Sequence, residues 1–492
     1  MAVNGKEEHP KSSSAFNKAS TIPFWLDGRE FESNSTFDVI SPIDQKTLYK
    51  CSSAGEQDVL HAIESAQQAF LLWSKTKPRT RRDIFLRAAD EFERRKNELR
   101  HYSLTETGAS DAMFAFEHEA ACQACKDIAG LIQIATTATM PTVDGEDSSS
   151  AVLNEPFGVV LGIAPWNAPN VLGLRSCLQP LAMGNTVILK GPEAAPAAYW
   201  GIASVLHAAG LPKGCLNTLY HRPEDAAKIT GALISNPLVK KVNFTGSTAV
   251  GSIIASLAGR HLKPVVLELG GKAPAIVCED ADIDHAALQC ALGAFLHGGQ
   301  VCMSTERIIV HATVINQFRI AIRTAVEKVF GTTNIPQLVS RTPVENNRKL
   351  LADALSKGAQ IVQGDANRSD EQSTTTMRPV IVESVKYGMD IYSTESFGPT
   401  VSLYTVNSDE EAIKLANDTE YGLTSAVFTQ DLRRALKIAK RIESGAVHIN
   451  SMTIHDETAL PHGGVKGSGF GRFNGLPGLR EWVRTKTITW KD

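Results

Sequence analysis

The sequence has no block of lysine and arginine and no strong excess of either charge. Fifty basic residues stand against 53 acidic ones, for a formal net charge of −3. That excludes the electrostatic footprint of a nucleic-acid-binding protein and offers no basic patch to an anionic membrane. Long apolar runs are also missing. The least charged stretches, Ala194–Gly210 and His285–Ser304, are rich in Ala and Gly and broken by polar groups, so they predict buried helices and loops rather than membrane spans. Residues 1–20 lack both the apolar centre of a signal peptide and the Arg-rich pattern of a transit peptide; residues 1–21 are expected to form a disordered tail. The closing Trp490-Lys491-Asp492 is no retention or peroxisomal signal, and a cytoplasmic location is expected. The eight cysteines are scattered, which is no disulfide framework. Cys122-x-x-Cys125 has no second pair to complete a zinc set and sits in a helix-like segment. No metal site is expected.

What is present is a long chain of 492 residues, 43% hydrophobic and 21% charged, as for a soluble protein of two or three domains. "QDVLHAIESAQQAFLLWSK" and "RDIFLRAADEFERRKNEL" carry apolar residues at helical spacing. "TTATMPTVDGEDSSSAVLNE" reads as two extended runs about the turn Asp144-Gly145, a hairpin of the kind that serves as an arm. From Phe157 strand and helix alternate: "FGVVLGIA", a helix near Val171–Ala182, "NTVILK", a helix near Ala197–Ala209, then "KKVNF" and another helix. Such alternation predicts a doubly wound parallel sheet with ligands at the carboxyl ends of its strands. After "KPVVLELGGKAP" the alternation resumes to about residue 450, which suggests a second α/β domain. The tail "GSGFGRFNGLPGLREWVRTKTITW" ends in alternating β residues that could pair with the 136–155 hairpin.

Chemistry-bearing residues gather at the predicted strand ends. Two prolines hold Trp166-Asn167-Ala168 in a rigid turn, where the Asn167 carboxamide could donate to an oxyanion or simply satisfy its own turn. Lys190 and Glu193 could hold a ribose or be two solvated charges. In "NFTGSTAVG", Gly246, Ser247, Thr248 and Gly251 open a helix whose amino end favours phosphate, though the segment is neither a Walker A loop nor GxGxxG. Glu268 in "LELGGKAP" follows an apolar run, and its desolvation suits a general base; the alternative is a structural ion pair. In "HGGQVCMSTER", two glycines precede Cys302, which could be a nucleophile, a ligand or a core thiol. "TESFGP" brings Glu395, which could accept hydroxyls, and Phe397, which could pack a flat ring. Each signal is weak alone; their joint order and spacing is not.

The set "APWNAP", "LKGPE", "FTGSTAVG", "LELGGKAP", "GGQVCMSTER", "ESFGP" and "PHGGVKGSGFGR" closely resembles the NAD(P)-dependent aldehyde dehydrogenase superfamily from about residue 22 onward. "HLKPVVLELGGKAP", "VCMSTERIIV" and "HINSMTIHDE" resemble its salicylaldehyde/vanillin dehydrogenase branch, which oxidises aromatic aldehydes.

The resemblance implies an α/β fold of three parts. A Rossmann-type NAD-binding domain takes residues 22–135 and 156–268, an α/β catalytic domain 269–450, and β segments for oligomerisation 136–155 and 463–492. It implies that Cys302 attacks the aldehyde, that Asn167 and the Cys302 backbone N–H hold the oxyanion, and that Glu268 activates water against the thioester. Lys190 and Glu193 then match the adenosine ribose, Ser247 and its loop the pyrophosphate with Trp166 nearby, Glu395 the nicotinamide ribose, and Phe397 the nicotinamide wall. A carboxylate at the ribose repels a 2′-phosphate, so NAD is expected over NADP, with Lys190 leaving the preference incomplete. A homodimer or homotetramer is expected.

This chain also departs from the pattern. Gly191-Pro192 stands between Lys190 and Glu193, Ala168 replaces a common Phe and widens the entrance, and His462 replaces another Phe at the substrate mouth. Arg175 lies where an aromatic is common; it is expected either to meet a substrate hydroxyl or carboxylate or to sit in an ion pair on the helix surface. The rival functions are a thiol hydrolase using Cys302 and a catalytically silent scaffold.

Overall fold

Short apolar runs, each closed by a glycine, proline or polar turn, become the central strands of two largely parallel sheets. The computed structural model describes residues 16, 19–331, 335–365 and 374–491. The predicted tail falls mostly outside the described residues, but its end is part of the fold. The Phe16 ring lies 4.8 Å from that of Trp200, and a strand starts at Thr21.

The first sheet has eight strands in the order Gly469–Phe470, Val265–Glu268, Val239–Thr245, Val159–Ile163, Thr186–Lys190, Leu216–Leu219, Phe24–Leu26, Arg29–Phe31. Its five central strands run parallel. Sequence order proceeds outward from Val159–Ile163 in one direction and resumes on its other side at Val239–Thr245, which makes a topological switch point. Register aligns Ile163 with Lys190 and Phe244, and Thr245 with Glu268. The turns after these strands, with Asn167, Lys190, Ser247 and Glu268, therefore share one edge.

The second sheet has seven strands: Gln360–Gln363, Val380–Glu383, Thr400–Val406, Thr305–His311, Ala273–Val277, Thr424–Phe428, Ala446–Ile449. Alternate residues feed two different cores, as a strand buried on both faces requires. Ile276, Ile309 and Val427 face one core, and Val277, Ile308 and Ala426 the other.

The chain passes from Val265–Glu268 to Ala273–Val277 through only Leu269–Lys272. The carboxyl edge of the first sheet thus meets the amino edge of the second. Cys302 precedes the strand Thr305–His311, and Glu395 and Phe397 precede Thr400–Val406. The strand-end rule therefore serves one wall of the site; the other wall is built from strand beginnings.

The predicted hairpin is only half a hairpin. Ser148–Pro156 is a strand, while the other limb contributes a single antiparallel bridge, Thr139 to Val152. The strand's continuous partner is the tail strand Val483–Lys491, antiparallel from Val483–Pro156 to Lys491–Ser148. The ribbon begins at Val483 rather than at residue 463. Gly469–Phe470 instead completes the first sheet, and Phe473, Leu479 and Trp482 are buried in its core. Among the described residues no helix is long and apolar enough to cross a membrane.

Candidate active site

Cys302 is the one cysteine not fully buried, and all eight are unbridged. Burial of its sulfur, reinforced by the charges of Glu268 and Glu395, pushes the thiol well above its ordinary pKa, and Arg175 opposes this. Glu268 is 0% exposed, and neither carboxylate oxygen finds a hydrogen-bond partner among the described residues. The basic group facing it is His462, whose Nε2 lies 3.8 Å from Glu268 Oε1. A buried carboxylate left unpaired is costly in a merely structural role; beside a thiol it is placed to take a proton.

Asn167 is buried, and its Nδ2 donates to the Gln300 carbonyl at 2.9 Å, which ties the carboxamide to the Cys302 loop. The amide keeps a second N–H. Trp166 meets Phe397 edge-on, with ring centres 6.1 Å apart. His297, beside the Cys302 loop in sequence, is held down to about pKa 4 by burial, opposed by a hydrogen bond it donates to the Asn167 backbone. Its ring centre lies 6.5 Å from that of Trp166.

A Cβ at Gly246 would strike the Phe244 ring at 2.5 Å, and one at Gly251 would overlap Leu269. Gly270 and Gly271 leave room for the Glu395 carboxylate and the Cys302 carbonyl, and Gly299, at φ +73°, for the Gly398 carbonyl.

Two residues missed in the sequence hold the second wall. Lys272 and Glu306 are both buried and pair at 2.5 Å. Glu306 also accepts from the backbone N–H groups of Ser396, at 2.8 Å, and Phe397, at 3.2 Å. Glu306 lies four residues after Cys302, so the thiol and the Glu395–Phe397 turn hang from one anchor. Glu395 Oε1 accepts from Gly271 N at 2.8 Å, while burial and the nearby Glu306 raise its carboxyl to about pKa 8.

The first sheet's edge suits a dinucleotide. Ser247 caps the helix Thr248–Arg260, accepting from Val250 N at 3.4 Å, and presents a helix amino end next to the strand Val239–Thr245. The Thr248 hydroxyl is committed elsewhere, to the Gly467 carbonyl at 3.1 Å. Lys190 is partly buried; desolvation lowers its pKa and Glu193, exposed, works against that. An ammonium beside a carboxylate at a strand end fits ribose hydroxyls, and a capped helix start fits a pyrophosphate.

Arg175 is neither free nor on the surface. It is buried, ion-paired with Asp456, and stacked 5.6 Å over the Phe473 ring. Asn474 donates to Asp456 at 2.8 Å. Burial works against the charge of Asp456, yet Arg175, His462 and Asn474 together hold its carboxyl below the ordinary value. Arg175 Nη1 has no hydrogen-bond partner. The pair lines a shallow surface pocket with Ala121, Val171 and Gln179. Ala168 precedes the same helix, Pro169–Ala182.

Residues 29–488 match the aldehyde dehydrogenase family. The chain belongs to that family. It is an NAD(P)-dependent oxidoreductase in which Cys302 and Glu268 occupy the places described above. A vanillin dehydrogenase of Pseudomonas sp. (strain HR199 / DSM 7063) is 40% identical, covering 95% of this chain and 97% of its own. The crystal structure of a salicylaldehyde dehydrogenase from Pseudomonas putida G7, complexed with salicylaldehyde, superposes with a TM-score of 0.92 at 35% identity, covering 96% of this chain and 98% of that one. A betaine aldehyde dehydrogenase from Staphylococcus aureus in complex with NAD+ gives 0.90 at 28% identity, covering 95% and 94%.

Among the described residues the one grouping able to hold a metal is Glu93, His118 and Cys122. His118 Nε2 bonds the Phe92 carbonyl at 3.0 Å, and burial raises the Cys122 thiol to about pKa 11, so this CxxC half packs as a neutral thiol against its neighbour helix.

Proposed function

We propose that this aldehyde dehydrogenase oxidises an aromatic aldehyde bearing a hydroxyl or carboxylate substituent to its acid, with NAD as the preferred cofactor. One observation carries the reading: a partly open thiol, Cys302, beside a buried carboxylate with no partner of its own, Glu268. The relatives named for vanillin and salicylaldehyde support the aromatic class.

Lys190, Glu193, Ser247, Glu395 and the Trp166–Phe397 pair would hold the dinucleotide. Bound there, NAD supplies the acceptor for the hydride that leaves the aldehyde carbon. The chain's own residues do the rest. Cys302 adds to the carbonyl, giving a tetrahedral oxyanion. The free N–H of Asn167 and the Cys302 backbone N–H stabilise that oxygen. Glu268 takes a proton from water, which then hydrolyses the thioester on Cys302. Ala168, where a Phe is common in the family, widens the entrance for a ring, and the unpaired Arg175 Nη1 offers a hydrogen bond to its polar substituent. Glu193 favours NAD over NADP. The unbridged cysteines support a reducing cytoplasm, and the exposed ribbon supports a homo-oligomer.

NADH formation from NAD across aromatic and aliphatic aldehydes, alongside Cys302→Ala, tests the reading. Turnover of hydroxylated aromatic aldehydes by the wild type alone is expected. A clear kcat/KM preference for NADP would refute the cofactor choice, and equal KM values for substituted and plain aldehydes in the wild type and Arg175→Ala would refute the role of Arg175.

A further inference from the structure

Hydrolysis of the thioester leaves a proton on Glu268, and the carboxylate must lose it before the next turnover. Water's oxygen bonds to the thioester carbon, the C–S bond breaks, and sulfur leaves with the electron pair. One water proton goes to Glu268 and the other stays on the product acid. Glu268 is 0% exposed and has no hydrogen-bonded exit. Two of its electrostatic neighbours, Cys302 and Glu395, are acids. The base within reach is His462, with Nε2 at 3.8 Å from Oε1 and a side chain only 6% exposed.

His462 does not stand alone. It acts electrostatically on Asp456 and on His448. His448 Nε2 is buried without a partner, and its ring centre lies 4.9 Å from that of His455. His455 Nε2 lies 2.9 Å from Glu457 Oε1, and these two side chains are 35% and 62% exposed. His448, His455, Asp456 and Glu457 are the titratable residues of "HINSMTIHDE", the segment singled out in the sequence. Burial, with His455 and His462 nearby, holds His448 down to about pKa 4. A neutral imidazole carries one lone pair and one N–H, so it can accept a proton on one nitrogen and release another from the other.

We propose that His462 is the positioning and proton-accepting partner of Glu268. This rests on the aldehyde dehydrogenase reading of Cys302 and Glu268. His462 thereby has a task in the second half-reaction only: hydride departure precedes it, and thioester hydrolysis depends on it.

The test is rapid-mixing kinetics on the full-length enzyme with NAD and vanillin, comparing wild type, His462→Gln and His462→Phe. Both His462 variants are expected to keep a burst of one NADH per site at near the wild-type rate. Their steady-state rate is expected to fall at least tenfold, with an acyl adduct on Cys302 visible by intact mass. Added imidazole should restore the steady-state rate of His462→Gln in proportion to its concentration, which a purely structural loss would not allow. The proposal is overturned if His462→Gln turns over like the wild type with an unchanged pH profile. It is equally overturned if both His462 variants slow without accumulating acyl-enzyme and without responding to imidazole. A wild type that forms no NADH with any aldehyde would instead defeat the dehydrogenase reading.

Discussion

Gly271 packs against the main chain of Cys302, so that a Cβ at Gly271 would overlap the Cys302 carbonyl oxygen. The obstacle is backbone, which cannot swing aside as a side chain could. Gly271→Ala is therefore expected to displace the thiol loop, costing about 1–3 kcal/mol of stability and at least tenfold in kcat. Gly259 is the matched control: it lies in the helix Thr248–Arg260 with nothing within 4 Å of an added Cβ. Gly259→Ala should stabilise by up to about 1 kcal/mol and leave kcat alone. Denaturant unfolding and steady-state rates check both, and equal behaviour of the two variants would refute the argument.

The Lys272–Glu306 pair makes a different demand. Both partners are buried, and Glu306 also carries the Ser396 and Phe397 amides. Removing one partner leaves a buried charge uncompensated, at about 3–5 kcal/mol. Lys272→Met should cost stability on that scale and raise KM for NAD more than KM for aldehyde, because the turn that moves carries Glu395 and Phe397. The double variant Lys272→Met/Glu306→Gln should recover part of the stability but not the KM. A Lys272→Met enzyme with ordinary Tm and ordinary KM for NAD would sink this.

How much of this was legible beforehand follows from what a linear pattern encodes. "FGVVLGIA" and "NTVILK" announce buried parallel strands because unbroken apolar runs suit strands covered on both faces, and the residues after them were found by the strand-end rule. The same rule has no purchase on Cys302, Glu395 or Phe397, which precede strands; their place depends on the short crossing at Leu269–Lys272 that turns the two sheets edge to edge. Asp456 gave no signal, because its partner Arg175 is 281 residues away. Lys272 and Glu306 read as ordinary surface charges until the fold buries them. Gly251 also has a packing reason that a linear pattern does not show: a Cβ there would overlap Leu269. The first limb of the 136–155 hairpin failed for want of apolar residues to bury, and the tail strand took its place.

The ribbon of Ser148–Pro156 and Val483–Lys491 has only two strands, which are marginal alone in water. Ile488 and Trp490 lie on one face of it, 43% and 39% exposed, opposite Ala151 and Ser149. A second copy of the chain covering that face would stabilise both. Ile488→Asp/Trp490→Glu should therefore shift the species seen by light scattering toward monomer while the far-UV spectrum is retained. Truncation after Gly478 is a harsher test, because it also removes Trp482, which is fully buried and whose carbonyl accepts from Asn185 at 2.8 Å; an insoluble chain or monomer is expected there. A wild type that is monomeric at micromolar concentration would refute the interface.

The pH behaviour of the thiol separates two effects of Glu268. As a charge, Glu268 disfavours the thiolate, adding to burial in raising the Cys302 pKa. As a base, it accepts protons during turnover. In the cofactor-free enzyme only the first matters, and alkylation by iodoacetamide reads the thiolate fraction. The wild-type rate should climb with pH into the alkaline range, because the folded protein holds the proton on sulfur longer than a free thiol would. Glu268→Gln removes the negative charge, so the same climb should begin at lower pH and alkylation at pH 8 should become faster, even though steady-state aldehyde oxidation falls by about 10²–10⁴-fold. Opposite signs in one variant distinguish the charge from the base. If Glu268→Gln alkylated more slowly than the wild type at every pH, the carboxylate would be assisting thiolate formation at rest, and the thiol would owe its raised pKa to burial and Glu395.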